Sequence, residues 1–395
     1  RKVREEELSC ISEEDLLQGK LDYQDMERRP KEEEEVVLRA MHEMVVKRGL
    51  CLRQPSETGI KLVFPSYFNR DLPDDPGHPP LLVTYTFKGQ LEEVYATLVV
   101  RLFYTKAFEQ DKLWRYAADY RSNEGLRMGF KAIRRQEGAA ELGLYFDSKI
   151  PTDTKVTFIK YVHEHLLEKA QDVGRQRHYV CPTCGNPHGD SRAVQFRQQQ
   201  GQKDIGCTWC DYRIPLWDLI EEKFASQEYT DRVRVLETQA KNSITIESYQ
   251  LDAVSHASYV AGEAGQLFHA FNQIEGGIFG EIEFKDWNGN PSGQRVYLQL
   301  KSPEVYSYNP SVLDSRTKAF INIDGELHKY WQQMEHPIML VQQMLRGGYQ
   351  WRNADAMKIP LAENRGKPFI FSFEGEPFTA LNVQRMRDRF FPPQS

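Results

Sequence analysis

The chain has 395 residues, 40% apolar and 27% charged, with 51 basic against 57 acidic side chains and a net charge of −6. That length is too great for one ordinary core and implies roughly two to four domains. The composition excludes a disordered chain. The slight acidic balance excludes chain-wide attraction to nucleic acid and leaves only local patches for it.

Apolar runs are short, as at Leu98–Val100 and Ile338–Val341. They fall far below the ~20 residues a membrane span needs, so no membrane partner is expected. No signal peptide is recognised, and an opening at Arg1 rather than Met leads us to expect a fragment of a longer polypeptide. Four of the six cysteines form two Cys-x-x-Cys pairs. This pattern fits metal-held thiolates in a reducing compartment, so a cytoplasmic protein is expected.

Residues 1–35 are highly charged and end in Glu32–Glu35, a solvated helix face or helix start. Val37, Met41, Met44 and Val45 then share one helical face, and Gly49 closes the helix. Leu50-Cys51-Leu52, a turn at Pro55–Gly59 and a strand at Ile60–Phe64 complete a winged-helix-like unit over 1–75. The acids ahead of its helix favour protein packing over DNA reading. Pro73, Pro76, Pro79 and Pro80 make a rigid linker.

Strands are predicted at Leu81–Phe87, Thr97–Tyr104, Trp114–Tyr120, Leu126–Ala132 and Ala140–Phe146. Helices are predicted at Gln90–Ala96 and at Thr154–Leu167, with Val156, Ile159, Val162 and Leu166 inward. This succession of strands and helices suggests a ferredoxin-like α+β unit over 76–172. His163-Glu164-His165 is no zinc-protease site, because helical residues two apart point about 200° apart.

The segment 173–250 carries the strongest motif. Cys181-Pro182-Thr183-Cys184 and Cys207-Thr208-Trp209-Cys210 form two tight knuckles that can aim four sulfurs at one ion. Soft thiolates in a closed tetrahedral shell point to structural zinc, a zinc ribbon. An iron–sulfur cluster, a redox dithiol and unligated thiols are the weaker alternatives. His178 and His188 read as surface or packing residues, since four sulfurs fill the shell. Arg192, Arg197 and Lys203 read as a solvated loop more than as phosphate contacts. A short amphipathic helix is predicted at Ile214–Phe224.

Residues 251–395 hold the only credible catalytic constellation. A helix around Ser258–Phe271 contains Glu263. A strand at Ile278–Phe284, a turn at Trp287–Gly293 and a strand at Arg295–Ser302 follow. Alternation puts Val296, Leu298 and Leu300 on one face of the last strand, and Tyr297, Gln299 and Lys301 on the other. Ala319–Ile323, a helix near Leu327–Gln333 and Ile338–Val341 add further structure. Metal-dependent nucleases need carboxylates for magnesium and a lysine near the attacking water. Gln299-Leu300-Lys301 fits the (Asp/Glu/Gln)-x-Lys triplet that commonly supplies this lysine, and the hairpin sets it beside Ile278–Phe284.

The stretches Ala261–Gln266, Gly280–Asp286 and Gly293–Ser302 resemble a bacterial family of unknown function related to PD-(D/E)xK restriction endonucleases. The resemblance continues through Tyr330-Trp331 and Pro337–Val341 and covers most of 250–345. It implies a restriction-endonuclease-like α/β domain. Upstream, Leu62–Ser66 and the strands to about residue 170 look like the C-terminal-of-Roc region of bacterial Roco-type proteins. Together these imply the tail of a bacterial multidomain NTPase, in a phage-defence setting, whose partner is an upstream nucleotide-hydrolysing region.

If the site is active, Glu263 and Glu281 are the expected magnesium ligands, Gln299 orients a ligand or water through its amide, and Lys301 positions the attacking water or stabilises the developing phosphorane charge. One departure stands out. The family reads Gly-Ile-Asp-Gly-Glu-Ile-Glu-Phe where this chain reads Gly277-Ile278-Phe279-Gly280-Glu281-Ile282-Glu283-Phe284, and a phenyl ring cannot hold magnesium. Glu281 and Glu283 are expected on the same strand face as Phe279, where one of them could take over. His328 reads as packing, and Trp287, Tyr297, Tyr306 and Tyr308 as core or turn residues. Two readings stay open: a magnesium-dependent nuclease effector acting on DNA or RNA, and a catalytically silent nucleic-acid-binding or dimerisation scaffold. A homo-oligomer is expected. The chain has no Gly-x-Gly-x-x-Gly and no phosphate loop to suggest small-molecule cofactor chemistry.

Overall fold

The computed structural model of the chain describes residues 9–17, 30–56, 59–73, 79–181, 183–188, 194, 196–197, 199–216, 218–271, 277–301, 319–323, 330–331, 333–343, 348–354, 369–373 and 375–391. It is mixed α+β and divides into two units, residues 1–25 with 45–245, and residues 26–44 with 246–395. Arg192, Tyr306, Tyr308 and His328 lie outside the described residues, as does most of the helix expected at Leu327–Gln333. No described helix is long and apolar enough to cross a membrane.

The first unit opens with β1 (Cys10–Ser12) and α1 (Glu13–Leu17). α2 (Lys31–Lys47), whose residues up to Met44 belong to the second unit, is the helix expected from Val36 onward, and its Val37, Met41 and Met44 are exposed. β2 (Leu52–Ser56) and β3 (Gly59–Val63) form a hairpin, with β1 on the other side of β3. Next come β4 (Leu81–Lys88), α3 (Leu91–Thr105), β5 (Glu109–Trp114), β6 (Ala117–Arg121), β7 (Arg127–Arg134), β8 (Ala139–Phe146), α4 (Thr152–Lys169) and β9 (Gln171–Arg177). The strands form one antiparallel sheet in the order β5-β6-β7-β8-β4-β9.

The expected ferredoxin-like succession is therefore corrected to β-α-β-β-β-β-α-β, with six strands in one sheet. The strand predicted at Thr97–Tyr104 is the second half of α3. Its Leu98, Val99, Val100 and Leu102 are fully buried. A helix covered on nearly every side loses the polar stripe that marks a helix in sequence, and a run rich in β-branched residues then imitates a strand. The strand predicted at Trp114–Tyr120 is interrupted by a turn at Arg115 and Tyr116, with Tyr116 at φ 55°, and its last four residues belong to β6.

Phe158 of α4 anchors this core, its ring centroid 5.1 Å from Phe108, 5.6 Å from Tyr120 and 5.8 Å from Phe146. Val156, Ile159, Val162 and Leu166 point inward as expected. Gly129 has a steric reason to be glycine. A Cβ there would stand 2.2 Å from the Ala118 carbonyl oxygen and 2.7 Å from the Tyr145 hydroxyl. That hydroxyl donates to Asp119 at 2.5 Å, and Arg127 Nε donates to the other Asp119 oxygen at 2.8 Å.

β10 (Tyr179–Val180) and β11 (Pro187–His188) form one small hairpin, and β12 (Asp204–Gly206) and β13 (Arg213–Pro215) another. The helix expected from Ile214 starts later, as α5 (Leu219–Ala225), because the Asp218 carboxylate caps it by accepting from the N–H groups of Ile220 and Glu221. α6 (Gln227–Glu263) follows, and its residues up to 245 belong to the first unit, where Val233, Ala240 and Ile244 join the core.

The second unit contains the rest of α6, then β14 (Leu267–Ala270), β15 (Ile278–Lys285), β16 (Pro291–Lys301), β17 (Ala319–Ile323), β18 (Ile338–Gln343), β19 (Tyr349–Asn353), β20 (Phe369–Phe373), β21 (Glu376–Pro377) and α7 (Ala380–Phe390). The helix predicted to run to Phe271 stops at Glu263. Gly265 at φ 70° ends it, with the Gln266 N–H returning to the Ala261 carbonyl at 2.8 Å. The main sheet runs β14-β15-β16-β18-β19-β21, with β16 and β18 parallel and the other pairs antiparallel. β17 and β20 pair separately. One sheet face packs Phe279, Ile282, Phe284, Val296, Leu298, Met339 and Val341 against Ala253, Ala257 and Val260 of α6 and Val383 of α7. The other face carries Ile278, Ile338 and Leu340 beside Trp331.

Candidate metal centre and the sheet carrying the predicted acids

Cys181 follows β10 directly and Cys207 follows β12, so each hairpin presents one knuckle. The Cys181 N–H donates to the Asn186 carbonyl at 2.9 Å, and the Cys207 N–H donates to the Tyr212 carbonyl at 2.8 Å. The residue after each second cysteine must adopt left-handed backbone. Gly185 does so at φ 73° and Asp211 at φ 57°. Four sulfurs result, all within 4.8 Å of one another. Cys181 Sγ lies 3.5 Å from Cys210 Sγ, and Cys184 Sγ lies 3.5 Å from Cys207 Sγ. A disulfide would need about 2.05 Å. Sulfurs at the corners of a tetrahedron, each about 2.3 Å from an ion, lie about 3.8 Å apart. The spacing suits a metal such as zinc.

Burial opposes the Cys181 thiolate, but N–H groups of Cys184 and Thr183 and the Cys210 thiol outweigh it and bring its pKa down to about 6. The Asn186 backbone N–H and side-chain amide likewise lower Cys184. Against the Tyr212 N–H, which favours its thiolate, burial and the other sulfurs push Cys210 up to about 12. A bound dication would remove that mutual penalty. Among the described residues, the core around the sulfurs is Tyr179, Cys181, Val194, Ile205, Cys207, Ile214 and Leu216.

Two neighbours were missed in the sequence. His188, read there as a surface or packing residue, is half-buried with Nε2 3.2 Å from Cys207 Sγ. Asn186 Nδ2 donates to Cys184 Sγ at 3.3 Å. The available signal was the hairpin register, which sets His188 opposite Tyr179. His178 is bound elsewhere, its Nε2 2.7 Å from Thr84 Oγ1.

The predicted catalytic residues divide into separate groups. Glu263 is exposed at the end of α6 and accepts from the Tyr259 hydroxyl at 2.6 Å. Glu281 and Glu283 are only 6% and 7% exposed. Arg295 Nη1 donates to Glu281 at 2.8 Å, its Nη2 lies 3.6 Å from Glu283, and His269 Nε2 lies 3.3 Å from Glu283. The Gly293 N–H adds a further donor to Glu283 at 3.1 Å. Gln299 is 1% exposed and sits opposite Ile278 on one side and Leu340 on the other. Lys301 ends β16, in register with Gln342 of β18.

One expectation is corrected. Phe279 does not share a face with Glu281 and Glu283. The pairing with β16 shifts between Ile278 and Gly280, a bulge that turns the Phe279 ring into the core under α6. Among the described residues, the four cysteines are the one set of three or more His, Cys, Asp or Glu donors close enough to share an ion. Arg295 and His269 were absent from the sequence reading. The cue was cross-strand pairing, which sets Glu283 opposite both Leu267 and Arg295, and His269 opposite Glu281.

No family model matches the chain, and no curated protein matches it.

Proposed function

We propose that residues 246–395 form a catalytically silent, nucleic-acid-handling module built on an endonuclease-type sheet, in a chain braced by structural zinc at Cys181, Cys184, Cys207 and Cys210. The fold reading is supported by a helix followed by three antiparallel strands and then a strand parallel to the third. The silence rests on one arrangement: Phe279 is packed into the apolar core while Arg295 neutralises both nearby carboxylates. A magnesium ion there would have to displace a guanidinium from two largely buried acids, with no third His, Cys, Asp or Glu donor close enough among the described residues. The resemblances extend the proposal to the tail of a bacterial nucleotide-hydrolysing defence protein.

The zinc assignment draws on the donor set. Four thiolates close a shell and leave no position for water, so the ion would supply folding energy rather than chemistry.

The second reading, an active magnesium-dependent nuclease, draws on Gln299 and Lys301, which occupy alternate positions on the strand paired with β15. Incubating the full chain with single-stranded DNA, duplex DNA and RNA under magnesium or manganese separates the two. Binding without cleavage is expected. Metal-dependent cleavage that disappears in Lys301→Ala would overturn the silent reading in favour of the second.

A further inference from the structure

The four sulfurs are not equivalent. Cys181 and Cys207 are each 1% exposed, whereas Cys184 and Cys210 lie open to solvent. Backbone N–H groups reach Cys181, Cys184 and Cys210, so they do not set one exposed sulfur apart from the other. Side chains do. Asn186 Nδ2 donates to Cys184 Sγ at 3.3 Å, and His188 Nε2 stands 3.2 Å from Cys207 Sγ. A metal-held thiolate only accepts, so the imidazole turns its N–H toward it. Among the described residues, no side-chain nitrogen donates to Cys181 or Cys210.

The same division runs through the distances. Cys184 and Cys207, each with a side-chain donor, are 3.5 Å apart, and Cys181 and Cys210, with none, are also 3.5 Å apart. Each pair joins the first knuckle to the second. Both donors belong to the first hairpin, where Asn186 precedes β11 and His188 ends it. One pair of sulfurs is therefore shielded and the other is not.

Shielding governs reactivity. A thiolate attacks an oxidant with its negative charge, and an N–H bonded to the sulfur draws on that charge. Cys207 is both covered and bonded. Cys184 is exposed but bonded, and Cys181 is covered. Of the four, Cys210 alone combines exposure with the lack of a side-chain donor. It is the sulfur an oxidant meets first, and Cys181 stands next to it.

We propose that Cys210 and Cys181 form an oxidation switch in the centre, thrown by hydrogen peroxide. The Cys210 thiolate attacks one peroxide oxygen. The O–O bond breaks, leaving a sulfenic acid on Cys210 and releasing hydroxide. The Cys181 thiolate then attacks the Cys210 sulfur. An S–S bond forms and the S–O bond breaks, releasing a second hydroxide. The two thiolates lose two electrons and the peroxide gains them. The sulfurs have only to close from 3.5 Å to about 2.05 Å. Two of the four ligands are consumed, and no closed tetrahedral shell remains to hold an ion. The switch rests on the zinc reading given above and adds its regulation.

The test treats the full, zinc-loaded chain with an equimolar amount of hydrogen peroxide. Zinc release is followed with a chromogenic chelator, and sulfur bonds are mapped by mass spectrometry after the free thiols are alkylated. Zinc should leave in step with a Cys181–Cys210 disulfide, with Cys184 and Cys207 still open to alkylation. A thiol reductant with added zinc should restore the loaded chain. His188→Ala should spread the first bond over both pairs and speed zinc release about fivefold, and His188→Gln, which keeps an N–H at the sulfur, should restore the parent pattern. A first disulfide at Cys184–Cys207 or within either knuckle overturns the switch, while the zinc released leaves the metal reading standing. Zinc kept through the oxidation also overturns the switch alone. An unchanged map in His188→Ala overturns the shielding that selects the pair. A chain that holds no zinc overturns both readings.

Discussion

Phe279 and Glu281, two positions apart on β15, lie on opposite sides of their sheet. In a regular strand they would share a side. The bulge at Phe279 separates them, and it decides what each residue can do. The phenyl ring fills the core under α6, while the carboxylate meets Arg295.

Replacing the ring with the acid that the resemblance implies is therefore expected to damage the protein rather than activate it. Phe279→Asp places a carboxylate among Ile282, Val296 and Val260. Removing a core Phe alone costs about 3–5 kcal/mol, and the buried charge adds to that. Urea denaturation should show a loss at least that large, with no metal-dependent cleavage. A variant as stable as the parent that cuts DNA would contradict the packing described above.

Arg295→Ala leaves Glu281 and Glu283 largely buried with their main cation gone. A loss of about 2–3 kcal/mol is expected, below the value for fully buried pairs because Arg295 is itself partly exposed. Adding Glu281→Gln and Glu283→Gln to that variant should recover most of the loss, which a three-way comparison of denaturation midpoints would show. If the triple variant is weaker than Arg295→Ala, the network is not the source of the effect.

Metal removal offers the clearest reading of the first unit. The chain should purify with one zinc, measured by elemental analysis. Stripping it with a chelator should expose four further thiols to a colorimetric reagent. Cys207→Ser should lower the melting temperature by about 10 °C or more, since so small a core depends on its ion. A demetallated chain that melts unchanged would remove the structural role.

His165 gives the pH response a direction. Burial and the nearby Arg101 outweigh a hydrogen bond to the Val94 carbonyl and bring its pKa down to about 3. Its unfolded value is near 6.5, so between these limits the unfolded chain binds the extra proton. The stabilising effect is whole above pH 6.5 and is lost as pH falls toward 3, at up to about 1.4 kcal/mol per pH unit. Stability measured from pH 7 to 4 should fall less steeply in His165→Gln. An unchanged slope would exclude this histidine as the source.

Much of this could be read from the residues. The two Cys-x-x-Cys pairs located the four sulfurs because the motif is local. The hairpin of β15 and β16 was legible from its alternation and its Asn288-Gly289 turn. What escaped depended on distant contacts. The all-round burial of Leu98–Leu102 hid a helix, and no periodicity announces a bulge such as that at Phe279. The link from Arg295 to Glu281 needs the strand register before it can be seen. His188, four residues beyond Cys184, reaches Cys207 only through the register of its hairpin, which the sequence does not display by itself.

Only His178 separates the last residue of β9 from the first of β10, and its N–H is tied to the Leu82 carbonyl at 2.9 Å. The six-stranded sheet thus hands the chain to the four-cysteine hairpins with no slack between them. A protease should find no foothold from Gln171 to Cys181, and in a heating scan the two should unravel in a single event. Oxidation of the thiols would accordingly be felt as fraying at the β9 edge of the sheet.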